Sequence, residues 1–305
     1  MTERFFDFWH VDVFTETPLE GNPLAVFPRA SGLSDAEMAS IAREMNLSET
    51  TFVLPAANPS AHYRIRIFTP SGEIPFAGHP SIGTAFVAAL EGLVPHSEGA
   101  SILYSELEIG VLPLELLSEA GTIRKVVMTQ GEPTVGPPLG RVEPLAKALG
   151  VKTKDLGTRG ILRPRIASTG LPSLQVPLRS LDVIRSLDPD DRALAKVLAS
   201  YGPHTLCYAF SMAAVSPDAH VHARAFAPLD GIREDPATGS AAGACGAFLA
   251  AHGRLPAPTF VIEQGIEMRH ASRIEVSVEA DGTTPRVVRV GGRVTPLMRG
   301  SLRLP

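Results

Sequence analysis

Two stretches of this chain set a titratable side chain directly before a proline, and each proline opens a run of small residues: Gly78-His79-Pro80 and Glu234-Asp235-Pro236. The context around them repeats. Arg66-Ile67-Phe68-Thr69-Pro70 precedes Pro80-Ser81-Ile82-Gly83-Thr84-Ala85, and Arg224-Ala225-Phe226-Ala227-Pro228 precedes Pro236-Ala237-Thr238-Gly239-Ser240-Ala241. Both read R-x-F-x-P, a short loop, then P-x-x-G-[ST]-A. Seven positions matched in one order imply a chain built from two related halves. Each proline suits the first turn of a helix, where its missing N–H costs nothing. The first amides of such helices, near Ile82-Gly83 and Thr238-Gly239, carry roughly half a positive charge and favour a carboxylate or a developing enolate. Two such ends facing one another would form an anion-binding cleft. Gly83 and Gly239 carry no Cβ and would let a ligand or a backbone approach closely. Read singly, Asp235 is also a good N-cap and Ser240 an ordinary first-turn residue. The second copy is what argues for chemistry.

A third titratable group stands apart. Glu49 lies in Asn46-Leu47-Ser48-Glu49-Thr50-Thr51, between a helix end and a strand. It reads either as a solvated loop acid or as a half-buried carboxylate among hydroxyls and an amide. The second environment would raise its pKa and suit proton exchange near neutrality. Other candidates are weaker. His220 and His222 share one strand face and could bind a metal, but no third ligand at useful spacing is visible. Cys245 reads as a small core residue, and Cys207 lies outside the repeat, so a two-thiol racemase pair is not expected. Gly239-Ser240-Ala241-Ala242-Gly243 is neither a nucleophile elbow nor a P-loop nor a dinucleotide-binding turn.

These residues need elements to hold them. Alternation predicts strands over Trp9–Phe14 and Tyr63–Phe68, and the apolar run Leu24–Phe27 and the β-branched, apolar Thr50–Leu54 read as two more. Ser34-Asp35-Ala36-Glu37 is a capping box that starts a helix running to about Met45. Pro80 to Leu90 and Ala237 to His252 read as helices apolar on nearly every side, hence core helices, the second stopped by Gly253. A further helix is expected near Pro144–Gly150, and short strands over Val287–Val290 and Val294–Leu304. The expected class is α+β with strands outnumbering helices, each half wrapping strands around one central helix. The N-terminal half is placed at residues 1–125 and the C-terminal half at 126–289, with strands near 290–305 returning to the first.

Composition narrows the function class. The chain has 305 residues, enough for two domains of ordinary size. Hydrophobic content of 44% and charged content of 20% describe a globular protein with ample core. A net charge of −4, with no basic block or aromatic-interleaved stripe, argues against nucleic acid. Two cysteines are too few for a disulfide framework. No apolar run approaches the roughly 20 residues of a membrane span. Met1–Asp7 lacks a signal-peptide layout, so a cytoplasmic protein with no membrane partner is expected.

Taken together, Gly21-Asn22-Pro23-Leu24-Ala25-Val26-Phe27, Asn46-Leu47-Ser48-Glu49-Thr50, Gly78-His79-Pro80 and Glu234-Asp235-Pro236-Ala237-Thr238-Gly239-Ser240-Ala241 resemble the phenazine-biosynthesis PhzF-like isomerases. The ordered set is highly specific, and Val290-Gly291-Gly292 extends it, so the resemblance covers essentially the whole chain. It implies a diaminopimelate-epimerase-like fold of two pseudo-symmetric halves, each a curled, mostly antiparallel sheet or barrel around a central helix, with the site in the cleft between. It also implies acid–base chemistry without a cofactor or metal, and frequent homodimers. By the same resemblance Glu49 is the catalytic glutamate, His79, Asp235 and Ser240 are site residues, and Gly78 and Asn22 line the pocket; catalysis is expected from Glu49, Asp235 and His79, and substrate binding from Ser240, Gly78, Gly239 and Asn22. The related epimerases place two cysteines at their helix ends; this chain has His79-Pro80 and Asp235-Pro236 there. The expected activity is proton transfer between carbons of a small unsaturated carboxylate. An amino-acid or hydroxy-acid epimerase or racemase, and a non-catalytic small-anion binding protein, are the rival readings.

Overall fold

The computed structural model describes residues 3–75, 78–158 and 162–305. The loop expected from Gly72 to His79 therefore lies outside the described residues at positions 76 and 77. The chain divides into two compact units, one of residues 1–128 and 291–305, the other of residues 129–290.

The first unit runs β1 (Arg4–Val13), β2 (Asn22–Phe27), α1 (Asp35–Met45), β3 (Glu49–Leu54), β4 (Tyr63–Thr69), β5 (Gly72–Ile74), α2 (Gly78–Leu90), β6 (Gly99–Leu107), β7 (Gly110–Glu119) and β8 (Thr122–Thr129). The second runs β9 (Thr134–Pro138), α3 (Glu143–Ala148), β10 (Arg165–Ser168), β11 (Pro172–Pro177), α4 (Leu181–Arg185), α5 (Asp191–Leu198), β12 (Leu206–Ser211), β13 (Val221–Ala227), β14 (Ile232–Asp235), α6 (Gly239–Ala251), β15 (Thr259–Gln264), β16 (Ser272–Asp281) and β17 (Thr284–Gly292). The last strand, β18 (Val294–Leu304), returns to the first unit and pairs antiparallel with β1.

In the first unit β1 pairs antiparallel with β2 and β2 parallel with β3, while β3 is antiparallel to β4. β4 forms a hairpin with β5 and a parallel pair with β6, which continues antiparallel to β7 and β8. In the second unit β9, β10 and β11 are antiparallel neighbours, β11 pairs parallel with β12, and β12 is antiparallel to β13. β13 forms a hairpin with β14 and a parallel pair with β15, which continues antiparallel to β16. Antiparallel pairs predominate, as expected, but neither ladder closes on itself among the described pairings, so each is an open sheet and not a barrel.

The core helices follow from composition. Every residue of α2 from Gly78 to Ala89 is buried, and every residue of α6 from Gly239 to Ala250. A helix with no polar stripe has no face to offer water, so strands must cover it on several sides. α2 packs against β1, β2, β3, β7 and β18, and α6 against β9, β10, β11 and β16. Burying Ile82, Phe86 and Val87 stabilises the first unit by about 1.5–3 kcal/mol each. Gly83 is explained by this packing. A Cβ there would lie 2.6 Å from Leu24 Cδ2 and 2.9 Å from Val13 Cγ2, so the glycine admits the sheet and not a ligand. The remaining elements are amphipathic. α1 carries its capping box between Ser34 and Glu37 and buries Met38, Ile41 and Ala42 against Phe27, Phe52 and Phe68. α3, α4 and α5 cover β11 and β12 through Leu145, Ile184, Leu194 and Leu198.

Both helix starts differ from the sequence expectation. α2 begins at Gly78, so His79 lies inside its first turn and not ahead of it. Pro80 is tolerated because the third position of a helix still has no intrahelical acceptor for an N–H. α6 begins only at Gly239, so Pro236 does not open it, and Asp235 is the last residue of β14 and not an N-cap. No helix among the described residues is long and apolar enough to cross a membrane.

Candidate active site

In the first unit three segments bring expected residues together. Asn22 opens β2, Glu49 opens β3, and the parallel register sets Leu24 beside Glu49. His79 comes from the first turn of α2. Its Nε2 lies 3.3 Å from Glu49 Oε2, and the two side chains are only 6% and 12% exposed. On the other side of the ring, Nδ1 lies 3.4 Å from Asn22 Nδ2. The Ser48 hydroxyl donates to Asn22 Oδ1 at 3.3 Å. With the amide nitrogen toward the ring, Asn22 Nδ2 donates, His79 Nδ1 accepts, and the ring proton sits on Nε2, on the side of Glu49. Burial pushes His79 down to about 3, so the ring is neutral near pH 7. The Glu49–His79 contact is then a close approach of a glutamate to a neutral ring and not an ion pair, and Nε2 and Oε2 do not meet in hydrogen-bond geometry. Glu49 is no solvated loop acid. Gly78 is buried beside His79.

In the second unit Asp235 ends β14 at the point where its backbone pairs with Ala225 of β13. The Thr238 hydroxyl donates to Asp235 Oδ2. Thr238 occupies the N-cap position of α6, makes no side-chain capping bond, and turns its hydroxyl toward Asp235. Gly239 and Ser240 form the first turn behind it, both buried. Thr169 Oγ1 lies 3.3 Å from the Ser240 carbonyl. Glu49, His79, Asn22 and Gly78 thus belong to one unit, and Asp235, Gly239 and Ser240 to the other.

The repeated R-x-F has a structural task in each unit. Arg66 forks Glu73 of β5 through Nε at 2.7 Å and NH2 at 2.5 Å, with its guanidinium 5.2 Å from the Phe68 ring. Arg224 forks Glu234 of β14 at 2.7 and 2.8 Å, with its guanidinium 5.1 Å from the Phe226 ring. Each arginine clamps the hairpin strand that leads toward a helix carrying candidate residues, which is the bidentate geometry guanidinium favours. Glu73 and Glu234 were not singled out by sequence reasoning because they stand seven and ten residues after their arginines.

The metal reading of His222 fails on geometry. Its Nδ1 lies 2.8 Å from Glu263 Oε1 and its Nε2 2.9 Å from Glu267 Oε1, so both nitrogens must donate. That requires the imidazolium, and the flanking carboxylates hold it up at about 9. Among the described residues no group of three or more His, Cys, Asp or Glu side chains could hold a metal ion. Both thiols are buried and free, and burial pushes Cys207 up to about 12 and Cys245 upward as well. Neither is available as a thiolate near neutral pH.

Comparison with known proteins gives the same direction. The family model described as "Phenazine biosynthesis-like protein", PhzC-PhzF, matches residues 11–300. A trans-2,3-dihydro-3-hydroxyanthranilate isomerase of Pseudomonas fluorescens is 38% identical over 299 residues, covering 96% of this chain and 98% of that protein. The crystal structure of a PhzF-family phenazine biosynthesis protein from Bacillus anthracis superposes with a TM-score of 0.87 at 28% identity, covering 98% of this chain and 99% of the other. A probable proline racemase from Agrobacterium radiobacter, 15% identical, shares the fold with a TM-score of 0.67 over 98% of this chain and 93% of its own.

Proposed function

The chain belongs to the PhzC-PhzF family of phenazine biosynthesis-like proteins and is an isomerase, and from that premise we propose that it moves a proton between two carbons of a small unsaturated cyclic carboxylate. Glu49 takes a proton from an acidic C–H next to a conjugated system and returns it to a second carbon. The proton leaves and returns as a proton, so the step needs neither oxidant nor reductant, and no cofactor is part of the proposal. His79, neutral and carrying its proton on Nε2, lies beside Glu49 and donates to charge that develops on the substrate. Asp235 holds a polar group of the substrate, and Ser240, Gly239 and the first turn of α6 bind its carboxylate. Gly78 and Asn22 line the region around His79. Positioned proton transfer of this kind contributes about 10²–10⁴-fold, and donors fixed before the charge develops add to it.

The observation that carries the reading is the buried Glu49–His79 pair with its tautomer set by Asn22. A largely buried glutamate held 3.3 Å from a neutral imidazole nitrogen is placed to exchange a proton with a substrate out of bulk water. The two units are read as related halves. In support, each ladder follows the order parallel pair, antiparallel pair, hairpin, parallel pair, antiparallel pair, and each carries an arginine forked onto the hairpin glutamate. A homodimer and a cytoplasmic location belong to the same proposal; a monomer in analytical ultracentrifugation would refute the first.

The test is to incubate the protein with trans-2,3-dihydro-3-hydroxyanthranilate in deuterium oxide and follow the label by NMR. Deuterium at a second ring carbon, abolished by Glu49→Gln, is the expected result. Label confined to an inverted stereocentre would assign an epimerase instead. Turnover retained in Glu49→Gln would remove Glu49 from the mechanism.

A further inference from the structure

The side chain that fixes Asp235 lies outside the repeat. Gln264 ends β15 and is wholly buried. Its Nε2 donates to the Asp235 carbonyl at 2.7 Å and to Thr238 Oγ1 at 3.0 Å, while its Oε1 accepts the Thr238 amide at 3.2 Å. Both hydrogens of the amide nitrogen are thereby used. Because the Thr238 oxygen accepts from Gln264, its single proton is directed to Asp235 Oδ2. The next residue completes the cradle. Gly265 has φ +78, and a Cβ there would lie 2.3 Å from the His270 carbonyl and 2.6 Å from the Pro236 carbonyl. Only glycine lets the end of β15 lie against the Asp235-Pro236 backbone. β13 holds the other side of the same segment through the Ala225–Asp235 pair.

We propose that Gln264 and Thr238 are positioning residues that hold the Asp235 carboxylate in one orientation for the substrate. The proposal rests on the reading of Asp235 as a substrate-handling acid. The glutamine joins the backbone and side chain of one short segment in a single network, so the carboxylate is oriented before substrate arrives, and turnover does not have to supply that ordering.

Three variants test it: Thr238→Val, which keeps the shape and removes the hydroxyl; Thr238→Ser, which restores the hydroxyl; and Asp235→Asn. Assayed by proton transfer on trans-2,3-dihydro-3-hydroxyanthranilate in deuterium oxide, Thr238→Val is expected to lower kcat by roughly 10–100-fold with KM changed less than about threefold. Thr238→Ser is expected within about threefold of the parent. If Asp235→Asn is inactive while folded Thr238→Val turns over at the parent rate, the clamp is overturned and the reading of Asp235 stands. If Asp235→Asn itself keeps full activity, that reading fails and takes the clamp with it. A measurement without substrate closes the remaining gap. The Thr238 hydroxyl proton, bonded to a carboxylate, is expected as a slowly exchanging proton NMR resonance, absent from Thr238→Val and displaced in Gln264→Glu. Identical spectra for all three proteins would overturn the proposal.

Discussion

Asn22 presents its amide nitrogen 3.4 Å from Nδ1 of His79, and this contact decides which nitrogen of the ring carries the proton. With Nδ1 accepting, Nε2–H faces Glu49. Ser48, Asn22 and His79 are thus linked by hydrogen bonds, and the ring edge beyond them lies 3.3 Å from Glu49.

That relation can be reversed by one isosteric change. Asn22→Asp replaces the donor with an acceptor, so His79 moves its proton to Nδ1 and loses the N–H toward Glu49. We expect kcat to fall by about 10² or more, with the tautomer change visible in nitrogen-15 NMR of the His79 ring. A switched tautomer with unchanged turnover would remove His79 from the catalytic arrangement.

His79 should also be silent in titrations where most histidines respond. Its folded pKa of about 3 lies below the ordinary 6.5. The unfolded chain therefore binds the extra proton first, and stability rises with pH between these values, complete above about 6.5 and lost as pH falls toward about 3. The His79 ring signals should stay constant from pH 8 down to 5. A midpoint near 6.5 would contradict the burial assigned to it.

The opposite sign applies to His222. Held at about 9 by Glu263 and Glu267, it contributes stability that is fully present below about 6.5 and lost as pH rises through about 9. Glu263, held at about 2 by His222 and by the amides of Val215 and Ser216, contributes above about 4.5 and loses that contribution as pH falls toward 2. Urea midpoints of the parent should drop between pH 7 and 9.5, and His222→Gln should flatten that drop. Parallel curves for the two proteins would refute the imidazolium.

The two arginines of the repeat are not energetic equals. Arg224 is 8% exposed and also donates to the carbonyls of Ile184 and Leu187, at 3.1 and 2.9 Å. Arg224→Ala strands buried acceptors and should cost about 3–5 kcal/mol. Arg66 shares its charge between Glu73 and an Asp35 that is largely in solvent. Arg66→Ala should cost about 1 kcal/mol, because both of its partner carboxylates reach solvent and screened ion pairs return little. Equal losses in denaturant titrations would show that the exposure difference does not matter.

Cys245→Ala should keep kcat within about threefold of the parent, since a buried thiol whose pKa is pushed up behaves as a small hydrophobe. A hundredfold loss in a folded protein would reopen thiol chemistry.

Much of the local structure was legible in the residues. The Ser34–Glu37 capping box, the apolar helices after Pro80 and Ala237, and the alternating strands all follow from short-range rules that water imposes on any chain. Helix starts were less legible. Pro80 and Pro236 look alike in sequence, yet one sits in the third helical position and the other in the connector between β14 and α6. In the second copy the side-chain amide of Gln264, distant in sequence, bonds the Asp235 carbonyl and the Thr238 amide ahead of the helix.

The sequence by itself determined the elements, the chemical types at the site and the family, because composition, periodicity and ordered motifs are properties of neighbours along the chain. Tertiary structure alone decided that Asn22 sets a tautomer, that Gly83 serves packing, that His222 is an imidazolium and that Thr238 serves Asp235 instead of capping α6. Each of these depends on a donor or acceptor brought close by folding, and a hydrogen bond has no representation in sequence until both partners have been placed.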